Sequence, residues 1–102
     1  MIWQPDFVAD IQLYPTANGG KNRPISAKWY GCPLGYEGEL FDVRFDLTAI
    51  GSIAPGGNAK APGKFLSPER IKSRLEAGSK FTLWEGKTIG EGVICEIFTL
   101  SD

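Results

Sequence analysis

Residues 80–94, with the sequence KFTLWEGKTIGEGVI, restrict the fold of this chain more than any other segment. Phe81 and Leu83 lie two positions apart, and this alternation is typical of a half-buried β-strand. A turn can follow at residues 85–87, because Gly86 has no side chain to oppose a positive φ angle. A second strand then begins, so the segment predicts a β-hairpin.

Two glycines on the second strand of this hairpin share one face. Gly90 and Gly92 are two residues apart, and the residues of a β-strand alternate between its faces with that period. Glycine weakens a strand because it packs no side chain. The pair therefore predicts a bulge, or a close approach by another backbone or by a partner.

Alternating apolar residues predict further strands along the chain. The predicted strands are residues 6–14, 25–30, 39–47 and 92–100. In the second of these strands, Ile25, Ala27 and Trp29 are expected on one face, with Lys28 opposite.

Glycine and proline divide these strands. Pro33 and three glycines predict a loop at residues 31–38. Pro62 and Gly63 interrupt residues 59–66, which are expected to form at most a weak edge strand. Turns are expected at residues 18–20 and 55–58.

A short helix is predicted at residues 68–77. Ser67 is a favourable N-cap residue, and Pro68 suits the first helical position. Ile71 and Leu75, four residues apart, give the helix a narrow apolar stripe. A helix this short is unstable alone in water, so it is expected to pack on the sheet.

These elements together predict a single all-β domain over residues 1–102. Short strands, frequent turns and one short inserted helix are typical of a small antiparallel barrel, expected as a Greek key of about six strands. Closing the sheet would also remove exposed strand edges. A chain of this length buries roughly two-thirds of its unfolded surface, which is enough for one core.

The hairpin also resembles a known family. An apolar strand, a Glu-Gly turn, a basic residue, Thr, a β-branched residue and Gly-x-Gly-Val are similar to the closing hairpin of the C-terminal, third β-barrel domain of elongation factor Tu and related translational GTPases. The matching residues are Phe81, Glu85, Gly86, Lys87, Thr88, Ile89, Gly90, Gly92 and Val93. Gly19 and Gly20 before Pro24, the turn at residues 55–58 and Pro68 resemble that domain in the same order.

The resemblance implies a stand-alone relative of one module. No GxxxxGK[S/T] motif is present, so no GTPase domain or nucleotide site is expected. In the family, this barrel contacts aminoacyl-tRNA, the nucleotide-exchange factor and the GTPase domain. Only Glu85 and Gly86 correspond to the turn that contacts tRNA. The alternative interpretation is that this turn only closes the barrel.

Basic residues are concentrated between residues 60 and 87, where seven basic and three acidic side chains give a local charge of +4 in a chain of net charge −1. If the short helix packs beside the hairpin, four of these basic side chains surround the hairpin turn and could meet an acidic partner; a solvated surface helix and loops are the alternative. Trp84 is out of phase with the apolar face of its strand, so it either is exposed beside the turn as part of a partner surface or packs under the short helix. The candidate partner-binding residues are Trp84, Glu85, Gly86, Lys87, Lys72, Arg74 and Lys80.

The sequence offers little for catalysis. Without histidine, neither a Ser-His-Asp nor a Cys-His arrangement can form, and the cysteine spacing matches no zinc site. Neither a metal nor a cofactor is therefore expected. The carboxylate pairs Glu37/Glu39 and Asp42/Asp46 are the remaining candidates for chemistry, although solvent-facing charge is the simpler interpretation.

The two cysteines bear on the cellular compartment. Cys95 lies in an apolar run and is expected in the core, whereas Cys32, beside Pro33, is expected in a loop. Widely spaced cysteines without a secretory signal are typical of free thiols in a reducing compartment. The first residues lack the features of a signal peptide, and no apolar run approaches the roughly 20 residues of a membrane span. The expected location is the cytoplasm.

These observations favour a non-catalytic module that binds another protein, as an adaptor, regulator or immunity-type inhibitor. An RNA- or tRNA-binding module that uses residues 60–87 is the alternative, which the local charge favours and the net charge of −1 opposes. A small carboxylate-dependent enzyme is the least favoured function. Neither a membrane nor a nucleotide is an expected partner.

Overall fold

Six antiparallel strands form a closed barrel in the computed structural model, which describes residues 4–26 and 28–98. The strands are β1 (Phe7–Leu13), β2 (Trp29–Tyr36), β3 (Glu39–Asp46), β4 (Asn58–Phe65), β5 (Lys80–Trp84) and β6 (Thr88–Ile97). Three short 3-10 helices occupy Thr16–Asn18, Pro68–Arg70 and Lys72–Arg74. None of these described helices has the length and apolar character that a membrane-spanning helix needs.

The strand order is a Greek key. Around the barrel it reads β1, β4, β3, β2, β5, β6, and β6 closes the barrel on β1. Strands β2, β3 and β4 are consecutive neighbours, and β5 returns to lie beside β2. The predicted fold class, a small antiparallel all-β barrel, is therefore confirmed.

Strands β5 and β6 form the predicted hairpin. Their residues pair from Lys80 with Val93 to Leu83 with Gly90. In the turn, Gly86 adopts a φ angle of +72°, as its position predicts. The apolar residues that alternate along β1, β3 and β5 are buried in one core, as half-buried strands require.

The predicted loop at residues 31–38 is wrong. Strand β2 continues through this stretch and ends at a two-residue turn of Glu37 and Gly38, whose φ angles are +50° and +82°. Cys32 and Leu34 are buried on its inner face. Their burial and the pairing with β3 outweigh the low strand propensity of glycine and proline.

The face assigned to the second predicted strand is also wrong in part. Ile25 is buried and forms an isolated bridge with Ile53. Trp29, however, is 40% exposed, and Tyr30 faces the core instead. Ala27 lies outside the described residues. The inward-facing positions of β2 are therefore not the ones that alternation counted from Ile25 predicts.

Strand β4 lies in the interior of the sheet rather than at an edge, since it pairs with β1 on one side and with β3 on the other. The described ladder with β3 begins at Gly63. Pro62, which has no N–H to donate, lies outside that ladder. It therefore interrupts no pair between β3 and β4.

Residues 66–79, which we name the crossover segment, connect β4 to β5 across one end of the barrel. The short helix predicted at residues 68–77 is present as two 3-10 helices, and the side chain of Ser67 makes no capping hydrogen bond. Ile71 and Leu75 are buried, as the apolar stripe predicts. Burial of these two side chains holds the segment on the barrel without an α-helix.

Two phenylalanine rings lie directly over glycines inside the barrel. Phe7 pairs with Gly63 across β1 and β4, and Phe81 pairs with Gly92 across β5 and β6. A Cβ atom on either glycine would lie 2.3 Å from the ring of its partner. A Cβ atom on Gly90 would lie 2.6 Å from the backbone of β1. The predicted close approach at the paired glycines is therefore confirmed, and its source is the core of the same chain.

We predict that Gly92→Ala destabilises the barrel by about 1–3 kcal/mol, because the added methyl group must displace a ring in a packed core. Gly31→Ala is the matched control, since its nearest neighbour would lie at an ordinary 3.7 Å. Chemical denaturation followed by tryptophan fluorescence gives the free energy of unfolding of each variant. Equal values for the two variants would contradict the role assigned to Gly92.

Candidate functional site

The candidate partner-binding residues lie in separate places on the barrel. Glu85, Gly86 and Lys87 form the β5–β6 turn, and we name the barrel end that holds this turn the tip end. Lys72 and Arg74 belong to the crossover segment, at the opposite end. The structure therefore does not gather the basic candidates around the hairpin turn.

Both carboxylate oxygens of Glu85 are engaged within the tip end. Oε2 accepts a hydrogen bond from the Tyr30 hydroxyl, and Oε1 accepts one from the Lys21 ammonium group. Burial alone raises the pKa of Glu85, but the hydrogen bonds from Lys21 and Tyr30 outweigh it and hold the pKa below its usual value of 4.5. Burial and the bond to Glu85 raise the pKa of Tyr30, which therefore remains a donor. These contacts favour the interpretation that Glu85 closes the barrel.

A shallow basic cup, which we name the tip cup, lies beside this turn. Its volume is about 310 Å³, and Lys21, Arg23 and Lys87 line it. Lys87 Nζ donates a hydrogen bond of 3.3 Å to the carbonyl of Gly20. Lys21 is paired with Glu85, whereas Arg23 and Lys87 make no ion pair within the described residues. The tip cup is therefore positively charged.

Lys72 is held by a buried carboxylate. Its Nζ lies 3.1 Å from Oδ1 of Asp6, and the two side chains are 16% and 6% exposed. Oδ2 of Asp6 accepts the backbone N–H of Phe65 at 2.9 Å. Removing the lysine would leave a buried charge without its counter-ion. Lys72 therefore anchors the crossover segment to β1 and β4.

Arg74 holds the β2–β3 turn against the crossover segment. Its guanidinium group donates to Glu37 at 2.7 Å and to Glu39 at 3.1 Å. It also lies 5.6 Å from the ring centroids of Tyr36 and Phe41. The hydrogen bonds to both carboxylates raise the pKa of Arg74, which stays cationic. One of the two carboxylate pairs considered for catalysis is thus part of a surface ion-pair network.

Trp84 and Lys80 face a groove on the outside of the barrel, which we name the Trp84 groove. It has a volume of about 680 Å³ and extends along β2, β5 and β6 from the β2–β3 turn. Leu40, Trp84 and Val93 line it and are 50%, 39% and 38% exposed. Of the two alternatives for Trp84, the structure shows exposure rather than packing under the short helix, and two further apolar side chains line the same groove.

A row of residues across four strands forms the floor of this groove. Leu40 pairs with Gly35, Gly35 with Thr82, and Thr82 with Glu91. A Cβ atom on Gly35 would lie 2.4 Å from Oγ1 of Thr82, so a larger residue would not fit without displacing that side chain. Glycine at this position keeps the floor low between the apolar side chains.

The predicted positions of the two cysteines are wrong. Cys32 is buried, because β2 continues through it and turns its side chain inward. Cys95 is exposed, because it alternates with the inward-facing Ile94 on β6. Burial raises the pKa of the Cys32 thiol to about 12, so little thiolate forms at neutral pH. Both cysteines are free, as predicted.

Sequence reasoning missed two of the three apolar side chains in the Trp84 groove. Leu40 directly precedes the inward-facing Phe41, and Val93 directly precedes the inward-facing Ile94. Each is out of phase with the core face of its strand, which is the signal that identified Trp84. Two of the tip-cup cations were also missed, because they belong to the loop after β1, where no periodic pattern applies.

Comparison with known proteins gives no identification. No protein-family model matches the sequence, and no curated protein matches it. Across residues 4–26 and 28–98, no group of three or more His, Cys, Asp or Glu side chains could hold a metal ion.

We predict that Glu85→Gln removes a pH-dependent contribution to stability. Because folding lowers the pKa of Glu85 below 4.5, its charge stabilises the folded state at higher pH, and this contribution is lost as pH falls through the lowered pKa. At neutral pH, we expect the free energy of unfolding of wild type to exceed that of the variant by at most about 1 kcal/mol. Denaturation at a series of pH values measures this difference.

The exposed Glu96→Gln is the control for that comparison, since it changes the same charge on the outside of β6. A difference between wild type and Glu85→Gln that persists unchanged into strong acid would contradict the role of the Glu85 charge.

We also predict that the native protein carries one rapidly reacting thiol. A disulfide reagent at mildly alkaline pH should modify the exposed Cys95 and spare Cys32 until the protein unfolds, because Cys32 is buried with a raised pKa. Cys95→Ser should then show no fast-reacting thiol, whereas Cys32→Ser should retain one. Fast modification of both thiols in native wild type is inconsistent with an inward-facing Cys32.

Proposed function

We propose that this protein is a non-catalytic binding module that recognises another protein through the Trp84 groove. The observation that carries the proposal is that three exposed apolar side chains, Leu40, Trp84 and Val93, line one groove. Single exposed apolar side chains are ordinary, but several of them along one concave surface are typical of an interaction site. Tryptophan is also enriched among the residues that contribute most to binding between proteins.

The contacts of the charged candidates also support a site on the outer face. Glu85 is bound to Tyr30 and Lys21, and Lys72 is bound to Asp6. These side chains would have to give up existing contacts, one of them a buried ion pair, in order to meet a partner. The apolar side chains of the Trp84 groove could meet a partner without breaking a hydrogen bond or an ion pair.

The resemblance to elongation factor Tu bears on the role of the module. The six-stranded Greek-key barrel and its closing hairpin support a relationship to the third domain of that family. We accordingly propose the role of an adaptor, regulator or immunity-type inhibitor that acts in the cytoplasm. The two free cysteines support a reducing compartment.

RNA binding is a second candidate function, which the tip cup favours. Lys21, Arg23 and Lys87 surround this cup, and Glu85 is the one acidic side chain among its described lining residues. Basic side chains that contact phosphates supply affinity without reading sequence. The contribution expected from residues 60–87 is reduced, because Lys72 and Arg74 are paired with acidic side chains.

Affinity capture from the native lysate, with and without nuclease, tests the proposed function. The baits are wild type, Leu40→Glu and the matched control Leu66→Glu. Leu66 is 54% exposed and lies outside the Trp84 groove, so both variants add one charge to an exposed leucine. We expect wild type and Leu66→Glu to capture the same protein, both with and without nuclease treatment. With that protein purified, Leu40→Glu should weaken binding by about thirtyfold.

Two outcomes would overturn the proposal. Equal capture of the same protein by wild type and Leu40→Glu would exclude the Trp84 groove. Recovery of RNA that is lost on changing both Arg23 and Lys87 to Glu would instead support the tip cup. In that case, each lost phosphate contact should reduce the salt dependence of log K by about 0.9.

A further inference from the structure

A carboxylate without a counter-ion lies near the exposed ring of the Trp84 groove. Glu91 pairs across the hairpin with Thr82, which is two residues before Trp84 on the same face of β5. Diagonal neighbours on antiparallel strands are ordinarily about 7–8 Å apart. Trp84 and Glu91 are therefore diagonal neighbours on the outer face of the hairpin, and both line the Trp84 groove.

The charge of Glu91 is not cancelled within the part of the chain that the structure describes, because Glu91 makes no ion pair there. Its carboxylate accepts a hydrogen bond of 3.0 Å from the hydroxyl of Tyr14, at the end of β1. Burial, and then this bond, raise the pKa of Tyr14, so the hydroxyl stays neutral. The bond from Tyr14 orients the carboxylate and leaves its charge available.

Acidic side chains outnumber basic ones along the groove. Its described lining includes Glu37, Glu39 and Glu91 but only one cation, Lys80. Arg74 is paired with the first two carboxylates and offsets part of their charge. Lys80 starts β5, on the other side of Thr82 from Trp84, and makes no ion pair with Glu91. Glu91 is therefore the one carboxylate among the described lining residues of this groove that no cation pairs with.

We propose that the partner protein places a cationic side chain, arginine or lysine, between the Trp84 ring and the Glu91 carboxylate, while a neighbouring apolar side chain packs on Leu40 and Val93. This inference rests on the proposed function and specifies the surface of the partner. A cation over an indole ring is attracted by the ring electrons. A guanidinium group suits this site best, because it can stack on a ring while it donates to a carboxylate.

A displayed library of random linear peptides, selected on the immobilised full chain, is the probe for this site. We expect the enriched peptides to carry arginine or lysine near an apolar residue. Trp84→Leu keeps an apolar surface but removes the ring, whereas Glu91→Gln keeps the shape but removes the charge. Each variant should weaken binding of the enriched peptides by about five- to tenfold.

Two further variants give the test its controls. Glu96→Gln, exposed on the same strand outside the groove, should leave binding unchanged. Lys80→Ala removes a competing positive charge, so it should strengthen binding or leave it unchanged. A loss of affinity with Lys80→Ala, an acidic consensus, or no enrichment on wild type relative to Trp84→Leu would each overturn the inference.

The same variants separate this inference from the proposed function. If Leu40→Glu abolishes capture of the native partner but Trp84→Leu and Glu91→Gln do not, the groove binds a protein by other apolar contacts and the cationic inference fails. If Leu40→Glu leaves capture unchanged, the proposed function itself fails.

Discussion

Phe7 lies where several strands of the barrel meet, and its ring needs the space that Gly63 leaves on the opposite strand. Its ring lies 5.8, 5.1 and 6.4 Å from those of Phe45, Phe65 and Phe81, which belong to β3, β4 and β5. Phe81 in turn needs the space left by Gly92 on β6. Because packed interiors tolerate added volume poorly, the closure of the sheet depends on these two glycines.

Each end of the barrel is completed by a carboxylate that joins distant parts of the chain. At the tip end, Glu85 joins the β5–β6 turn to Tyr30 and to the loop after β1. At the other end, Asp6 joins β1 to β4 and to Lys72 of the crossover segment. These carboxylates are engaged in holding the fold, whereas the exposed side chains of Leu40, Trp84 and Val93 line a groove on the outer face.

The candidate site could be predicted in part. Trp84 was identified because its phase on β5 is a local property, and the same argument applies to Leu40 and Val93. Whether Lys72 lies near Lys87 could not be predicted from the sequence, because proximity in sequence says little about proximity across a closed barrel. The prediction of a loop at residues 31–38 was wrong for a related reason, since pairing with β3 outweighs the low strand propensity of glycine and proline.

The sequence by itself determined a small antiparallel barrel with a closing hairpin, because alternation and glycine turns depend on neighbouring residues only. Only the tertiary structure decided that Glu85 faces Tyr30 and Lys21, and that Leu40 joins Trp84 in one groove. These contacts join residues far apart in the chain, and the register that brings them together is set by the packing of the whole barrel. A local pattern carries no information about that register.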